Sequence, residues 1–272
     1  MNEYTIFSDP GCGLSQEEVQ SLNVTVLPYT INIGKESYIT TTAWDNFSEA
    51  ELFSMVRKDA PSFSRPPLGD WFEIIEDRFK SDFDVLYIGM TQKITGSMNS
   101  LSVIYKSLAE KYPERKLILI DSLTVGRGTG YYVRKAVENI GKGFDIEENA
   151  KSIEDILNST RSFWIPKKSL LFKITNRGDS SSLTNTSRFT ILKTTEDGQF
   201  IPDQTYKSLN EALEYMSDFD GQIELSFTGD FSKRKALPII EKFNHPRVYY
   251  STSPFTSTVC GPESIEVLVI NE

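Results

Sequence analysis

Three short apolar runs constrain the first half of this chain most: YTIFSD at 4–9, DVLYIGM at 84–90 and KLILIDS at 116–122. The last two lack the apolar–polar alternation of a strand with one wet face, and such runs are too short to cross a bilayer. Runs of this kind are typical of strands buried on both faces. A helical pattern follows each one. Ser15 with Glu18 three residues on is a capping box. Met98, Leu101, Ile104, Tyr105 and Leu108 recur at helical spacing, as do Tyr132, Val133, Ala136, Val137 and Ile140 beyond Gly130. Strand–helix alternation predicts right-handed βαβ units on a parallel sheet. Between the first two runs lie an extended, β-branched stretch, NVTVLPYTINI at 23–33, and a second capping box, Ser48 with Glu51, ahead of ELFSMVRK.

The pattern changes near residue 150. Asp145 and Glu148 cap a helix through about Ser159. LLFKI (170–174) reads as a strand and RGDSSSLTNTS as a polar stretch. RFTILKTTEDGQF reads as two short strands around an Asp197-Gly198 turn. Ser208 and Glu211 cap a helix, and QIELSF, a helix ending near Phe243, RVYY and SIEVLVI follow. With 272 residues there is room for two medium domains. The expectation is an α/β chain of two domains: a three-layer parallel-sheet domain over 1–158 and an α/β or α+β domain over 159–272, the boundary falling within 155–165.

Charge and residue counts exclude several classes of function. The net charge is −9, from 38 acidic and 29 basic residues, which argues against a nucleic-acid surface and an anionic membrane as standing partners. Cys12 and Cys260 form no CxxC pair and read as free thiols of a reducing compartment. The one histidine, His245, sits in FNHPRV ahead of Pro246, where a surface helix-end role is expected. One histidine cannot build a multi-histidine metal site, so no metal is expected. The start MNEYTIFSDPG has neither a basic region nor a long apolar run, so no signal peptide, no stable membrane insertion and a cytoplasmic location are expected. Two glycine clusters, GCGLSQ and GRGTG, fall short of a dinucleotide fingerprint. Gly126, Gly128 and Gly130 read instead as permitting tight turns and close packing, and no cofactor is expected.

In an open parallel sheet, ligands gather beyond the carboxyl ends of the strands. The stretch MTQKITGS (90–97) follows one such strand and opens a helix near Ser97. Thr95, Gly96 and Ser97 there combine two hydroxyls with the free amides of a helix start, a suitable grip for an anionic group. Thr95 acting only as an N-cap is the alternative. Ser62, Ser64 and Arg65 in PSFSRPP form the one hydroxyl–cation cluster. Paired carboxylates are absent from these loops: Asp9 and Asp121 are single and follow different strands.

Taken together and in order, these segments resemble the DegV family. The resemblance rests on FSDPGCGL (7–14), SFSRPP (62–67), MTQKITGS (90–97), LIDSLTVGRGTG (119–130), TNRG (175–178) and VCGPE (259–263). It spans nearly the whole chain. It implies a two-domain α/β protein, not itself an enzyme, that binds one long-chain fatty acid. The acyl chain would lie in a tunnel of the second domain, and the carboxylate would be held at the inter-domain rim by hydroxyls of the Ser-x-Pro and SGT loops. The partner implied is a separate fatty acid kinase subunit that phosphorylates the presented carboxylate. Carried onto this sequence, the site is Ser64, Thr95, Gly96 and Ser97, helped by Ser62 or Arg65. Leu170, Leu171, Phe172, Ile174, Phe189, Ile191, Leu192 and Phe227 are candidates to line the tunnel or simply to form the second core. Phe63 and Val259 stand where the family carries a threonine and a histidine, and the SGT serine and threonine are exchanged here as Thr95 and Ser97.

Two other readings stay open at this point. One is an enzyme acting on a small carboxylated or phosphorylated substrate at the same rim. The other is a divergent interaction protein whose pocket is filled by its own side chains.

Overall fold

The computed structural model describes residues 3–59, 61–166, 188–229, 233–250, 253–261 and 263–271. Three sheets organise them. Strands β1 (Tyr4–Ser8), β2 (Thr25–Val26), β6 (Asp84–Gly89) and β7 (Leu117–Asp121) form a parallel sheet in the order β2-β1-β6-β7. All six residues of β6 are buried, as its unbroken apolar run predicts. The crossovers run through α3 (Leu68–Lys80), α4 (Ser97–Lys111) and, beyond β7, α5 (Arg127–Gly141) and α6 (Ile146–Asp155). One apolar cluster covers one face of the sheet with Trp71, Ile75, Phe79, Leu101, Ile104 and Leu108. A second covers the other with Tyr132, Val133, Ala136, Ile146 and Ile153. Two opposed cores around one sheet are the three-layer α/β arrangement expected.

The expected capping boxes are present at α1 (Gln16–Ser21), α2 (Glu49–Val56) and α6, capped by Ser15, Ser48 and Asp145. The extended stretch at 23–33 divides at Pro28. Its first part pairs with β1. Its second part, β3 (Tyr29–Ile33), enters a separate antiparallel sheet between β4 (Glu36–Thr40) and β5 (Ser62–Ser64). A proline has no amide to give a ladder, so a change of sheet there sacrifices no hydrogen bond. Elements beyond those expected from the sequence include β4, β5 and α3, which opens directly behind Pro66-Pro67. In α3, Leu68, Trp71, Phe72, Ile75 and Phe79 keep helical spacing and Trp71 is fully buried.

The rest of the chain builds a six-stranded sheet in the order β10-β9-β8-β13-β11-β12, from β8 (Thr160–Ile165), β9 (Phe189–Thr194), β10 (Phe200–Tyr206), β11 (Gln222–Phe227), β12 (Arg247–Tyr250) and β13 (Ile265–Ile270). Only β11 and β12 pair in parallel; the other neighbours are antiparallel. Helices α7 (Leu209–Ser217) and α8 (Lys233–Ile240) pack on one face with Leu213, Met216, Ile223, Leu225 and Val267. The β9–β10 turn forms at Asp197-Gly198 as expected. It docks on the parallel sheet's rim, where the Thr91 hydroxyl donates to the Gly198 carbonyl at 3.0 Å and Lys93 pairs with Asp197 at 3.4 Å. The short helix α9 (Pro254–Cys260) is held to the first loop by the Ser253 hydroxyl, 3.0 Å from the Pro10 carbonyl. His245 lies exposed, as expected, but in the bend before β12 rather than at a helix end, since the preceding helix stops at Ile240. Cys12 is a buried free thiol, pushed up to about 12 by burial. The strand expected at 170–174 and most of the polar stretch behind it lie outside the described residues.

The glycines after β7 do what tight packing requires. Gly126 sits at φ 71°, ψ −140°, a region closed to other residues, and a Cβ there would lie 2.6 Å from both the Glu266 carboxylate and the Trp164 ring. A Cβ at Gly130 would lie 2.5 Å from the Cys12 carbonyl. Glu266 is fully buried and accepts the Arg127 amide at 2.8 Å. Burial pushes its carboxyl up to about 8, against the pull of nearby Arg127.

Two outcomes follow from this packing. Gly126→Ala is expected to destabilise the chain by at least about 2 kcal/mol, read as a lower urea midpoint. An unfolded glutamate ionises near 4.5 whereas Glu266 stays protonated to about 8. Its contribution is therefore complete below about 4.5 and is lost as pH rises through 8. Denaturation of wild type and Glu266→Gln between pH 5 and 9 should show the glutamine variant gaining relative stability as pH rises; a constant difference would contradict the assignment.

Candidate functional site

The MTQKITGS loop leaves β6 at the carboxyl edge of the parallel sheet and is pinned from three sides. The Met90 amide donates to Asp9 at 3.0 Å, the Gln92 amide to Asp121 at 3.1 Å, and the Thr91 amide to the Thr124 carbonyl at 2.8 Å. Helix α4 then starts at Ser97 with Gly96 in the N-cap position and no side-chain cap. Thr95 is therefore not the N-cap; its hydroxyl instead receives the Ser97 amide at 3.3 Å. Gly96 is exposed, and a Cβ built on it would touch nothing within 4 Å, so the space above the helix start is open. The first turn of a 15-residue helix also brings the positive end of its dipole to this point.

Three hydroxyls close on each other here. The Tyr29 hydroxyl lies 2.7 Å from that of Thr95 and is also hydrogen-bonded to Ser97, while Thr95 and Ser97 are 2.8 Å apart. Behind them, the Tyr87 hydroxyl donates to the Asp9 carboxylate at 2.7 Å. Asp9 is buried and also receives the Gly11 amide at 2.9 Å. Burial holds its carboxyl up at about 6, against the hydrogen bonds from Tyr87, Met90 and Gly11. Burial likewise raises the phenols of Tyr29 and Tyr87, with the Asp9 charge adding to both shifts. Both phenols therefore keep their protons at neutral pH and can donate them.

Ser62 and Ser64 are placed differently. In β5 they alternate with Phe63, which turns inward against Phe255 at 4.7 Å between ring centres. The two serines are exposed, and Ser64 accepts from the Asn32 side chain at 3.3 Å. Thr95, Gly96 and Ser97 thus form one group with Tyr29, and Ser62 and Ser64 lie on the outer face of the small sheet. Arg65 is exposed and close enough to Tyr29 for its charge to oppose the rise of that phenol. No carboxylate pairs with Arg65 among the described residues.

Below the hydroxyls the surroundings are apolar. Tyr29 packs at 5.7 Å from Trp71 and 5.5 Å from Phe255. The same cluster takes Trp164, Leu192 and Val259 from the six-stranded side, with Ile94, Met98 and Phe200 at its margin. Side chains from both large sheets therefore meet beneath the Thr95 turn. Of the residues considered as tunnel lining, Leu192 points into this seam. Ile191 and Phe227 belong to the core on the other face of the six-stranded sheet, with Phe189 packed against it. Leu170, Leu171, Phe172 and Ile174, like the TNRG loop at 175–178, lie outside the described residues.

Sequence reasoning named Thr95 and Ser97 but not Tyr29 or Tyr87. Both tyrosines sit in apolar strands, where they read as core, and their hydroxyls acquire meaning only through partners distant in sequence. Asp9 was visible as a lone carboxylate, without its link to the turn. Among the described residues no cluster of three or more histidine, cysteine, aspartate or glutamate side chains could hold a metal ion. No helix among them is long and apolar enough to cross a membrane.

Comparison with known proteins places this geometry. A family model described as an uncharacterised protein of the DegV family matches residues 3–169. A DegV domain-containing protein of Lactococcus lactis is 25% identical over 162 residues, 58% of this chain and 55% of that protein, so the match spans little more than half of that relative. Among solved structures, one described as showing fatty acid binding by a DegV family protein of Thermus thermophilus superposes with a TM-score of 0.82 at 18% identity, covering 100% of both chains. The fatty acid kinase B3 protein of Streptococcus pneumoniae, loaded with linoleic acid, superposes with a TM-score of 0.81 at 17% identity over 99% of this chain and 100% of that one. At these identities the likeness is one of fold.

Proposed function

Because this chain belongs to the DegV family, we propose that it binds one long-chain fatty acid, with the carboxylate at the Thr95–Gly96–Ser97 turn and the acyl chain in the apolar seam below. One observation carries the reading: three hydroxyls, an open helix start and Arg65, which no carboxylate among the described residues pairs, surround the top of an apolar cluster drawn from both large sheets. A carboxylate needs donors and no metal, and charge-assisted hydrogen bonds are the strong ones. Thr95, Ser97 and Tyr29 supply hydroxyl donors, and Arg65 supplies charge. Most of the affinity comes from the tail, at about 0.8 kcal/mol per buried methylene. The fatty acid binding described for the Thermus protein and the linoleic acid loaded on the pneumococcal one support this choice of ligand class.

Phe63 and Val259 remove a hydroxyl and an imidazole that the family resemblance leads one to expect, and the Tyr29 hydroxyl takes the position facing Thr95. Ser62 and Ser64 belong to the outer rim of the site in this proposal. The chain performs no chemistry itself: it presents the carboxylate, at the junction of domains spanning 1–158 and 159–272, to a separate kinase subunit in the cytoplasm. A second reading, a protein that interacts with partners and binds no lipid, is favoured by one observation, the packing of Phe63 on Phe255 beside buried Val259.

Denaturing mass spectrometry of protein purified from a bacterial host, with thermal shift on adding oleate, separates the two. A co-purified long-chain fatty acid or a raised Tm supports binding; neither signal would leave the interaction reading. Thr95→Ala and Tyr29→Phe are each expected to weaken oleate binding by about 1–3 kcal/mol. Ser64→Ala, on the outer face, should weaken it less. Equal losses in all three would move the head group toward β5.

A further inference from the structure

We infer that Trp164, Glu266 and Ser226 form a recognition site for one neutral oxygen substituent on the ligand's chain, so that the apolar seam selects a hydroxylated fatty acid over the plain one. The inference deepens the fatty-acid reading and rests on it for the ligand.

The three residues are direct neighbours across three strands. Glu266 of β13 pairs with Trp164 of β8 on one side and with Ser226 of β11 on the other. Directly opposed residues of antiparallel strands put their side chains on one face. The residues flanking them, such as Phe163, Ile165, Leu225 and Val267, fill the core on the opposite face. The row Trp164–Glu266–Ser226 therefore faces the parallel sheet. Leu192 continues the row by pairing with Trp164, and both belong to the apolar cluster beneath the Thr95 turn. The row thus begins in the floor of the seam.

Each member carries a buried polar atom with no hydrogen-bond partner among the described residues: Trp164 Nε1, Glu266 Oε2 and Ser226 Oγ. Trp164 and Glu266 are fully enclosed and Ser226 is 1% exposed. A buried polar group without a partner has lost its water for nothing, and such groups are rare in folded chains. Three of them in register mark a place suited to something polar. The position of Gly126 locates it. The point where a Cβ would stand on that residue is 2.7 Å from Glu266 Oε2 and 2.6 Å from Trp164 Cζ2, on the ring edge that carries Nε1.

The donors and acceptors state what fits. Trp164 Nε1 can only donate. Glu266 Oε1 already accepts the Arg127 amide at 2.8 Å and the Ser162 hydroxyl at 3.4 Å. Burial keeps the carboxyl protonated up to about 8, which leaves its proton for Oε2. Ser226 can donate or accept. A ligand hydroxyl takes the bonds from Trp164 and Glu266 on its lone pairs and gives its own proton to Ser226. A methylene satisfies none of the three. A charged oxygen is opposed by Glu224, whose charge already acts on Glu266. The nearby cation offers no relief, because the Arg127 guanidinium is committed to Glu18, Glu224 and the Gly13 carbonyl.

The test is displacement of a fluorescent fatty acid from the full chain by stearate and by a series of hydroxystearates that differ only in the position of the hydroxyl. Wild type is expected to bind one positional isomer at least about tenfold tighter than stearate, and the remaining isomers less tightly than that one. Trp164→Phe keeps an aromatic ring but removes the N–H, and Ser226→Ala removes the hydroxyl. Each is expected to cut the advantage of the preferred isomer at least about threefold. The ratio to stearate is the quantity read, so a general loss of packing in a variant does not imitate the effect. If a variant fails to fold, the order of affinities in wild type decides alone. Stearate bound as tightly as every isomer overturns the polar row as a ligand site and leaves the fatty-acid reading standing. A preference that persists unchanged in both variants places the hydroxyl elsewhere and overturns it equally. No displacement by any of these lipids overturns the fatty-acid reading and the inference with it.

Discussion

One buried guanidinium, that of Arg127, ties the two large sheets together. It stands at the first turn of α5, fully enclosed, and is held by carboxylates from both sides. Glu18 of α1 takes two of its bonds, at 2.8 and 3.0 Å, and Glu224 of β11 accepts at 3.2 Å. The Gly13 carbonyl accepts a further bond at 2.9 Å, and the Tyr249 ring lies 3.5 Å from the guanidinium carbon. Burial works against the charge, but Glu18 and Glu224 outweigh it and the guanidinium is held more firmly protonated than usual. Arg134 completes the cluster at 2.7 Å from Glu224. Burying a charge is tolerated only when it is paired and hydrogen-bonded, and losing one partner of such a group typically costs about 3–5 kcal/mol. The relative position of the sheets is thus set by a contact with little freedom to slide.

That constraint has consequences for the site. The Arg127 amide reaches Glu266 of β13, and Gly126 beside it packs under Trp164 of β8. Trp164 belongs to the apolar cluster that reaches Tyr29 and Phe255. The depth at which β8 and β13 sit against the parallel sheet therefore decides what lies under the Thr95 turn. From above, the Gly198 turn and Ser253 clamp the same rim through Thr91 and Pro10. The carboxyl edge of a parallel sheet is where loops converge on any chain of this architecture. Here the second sheet gives that edge an apolar floor.

How much was readable in advance follows from the range of the interactions. Ser15 with Glu18, Ser48 with Glu51 and Asp145 with Glu148 are contacts three residues apart, and each appears as its pattern predicts. The β6 run is an equally local statement about burial, whereas β7 lies at the sheet's edge and fully buries only Leu117 and Ile120. The Thr95–Ser97 turn was visible because a small-residue loop opening a helix is a short pattern. Tyr29 was not, because its hydroxyl meets Thr95 across 66 positions of chain, and nothing near YTINI marks it as polar-facing. Ser64 shows the opposite dependence on scale. Its motif suggested a head-group contact, but the period of two in β5 turns Phe63 inward and the serines outward.

The amino-acid sequence by itself determined the strand–helix alternation, most helix starts and the burial of the central strand β6, because these depend on neighbours within a turn or two. Order and spacing of the loops also carried the family. Only the tertiary structure decided which hydroxyls meet, that Asp9 stands behind them, and that Arg127 rather than a surface cation joins the sheets. Those facts depend on where distant strands come to rest, and packing of the whole interior, not any short segment, sets that position.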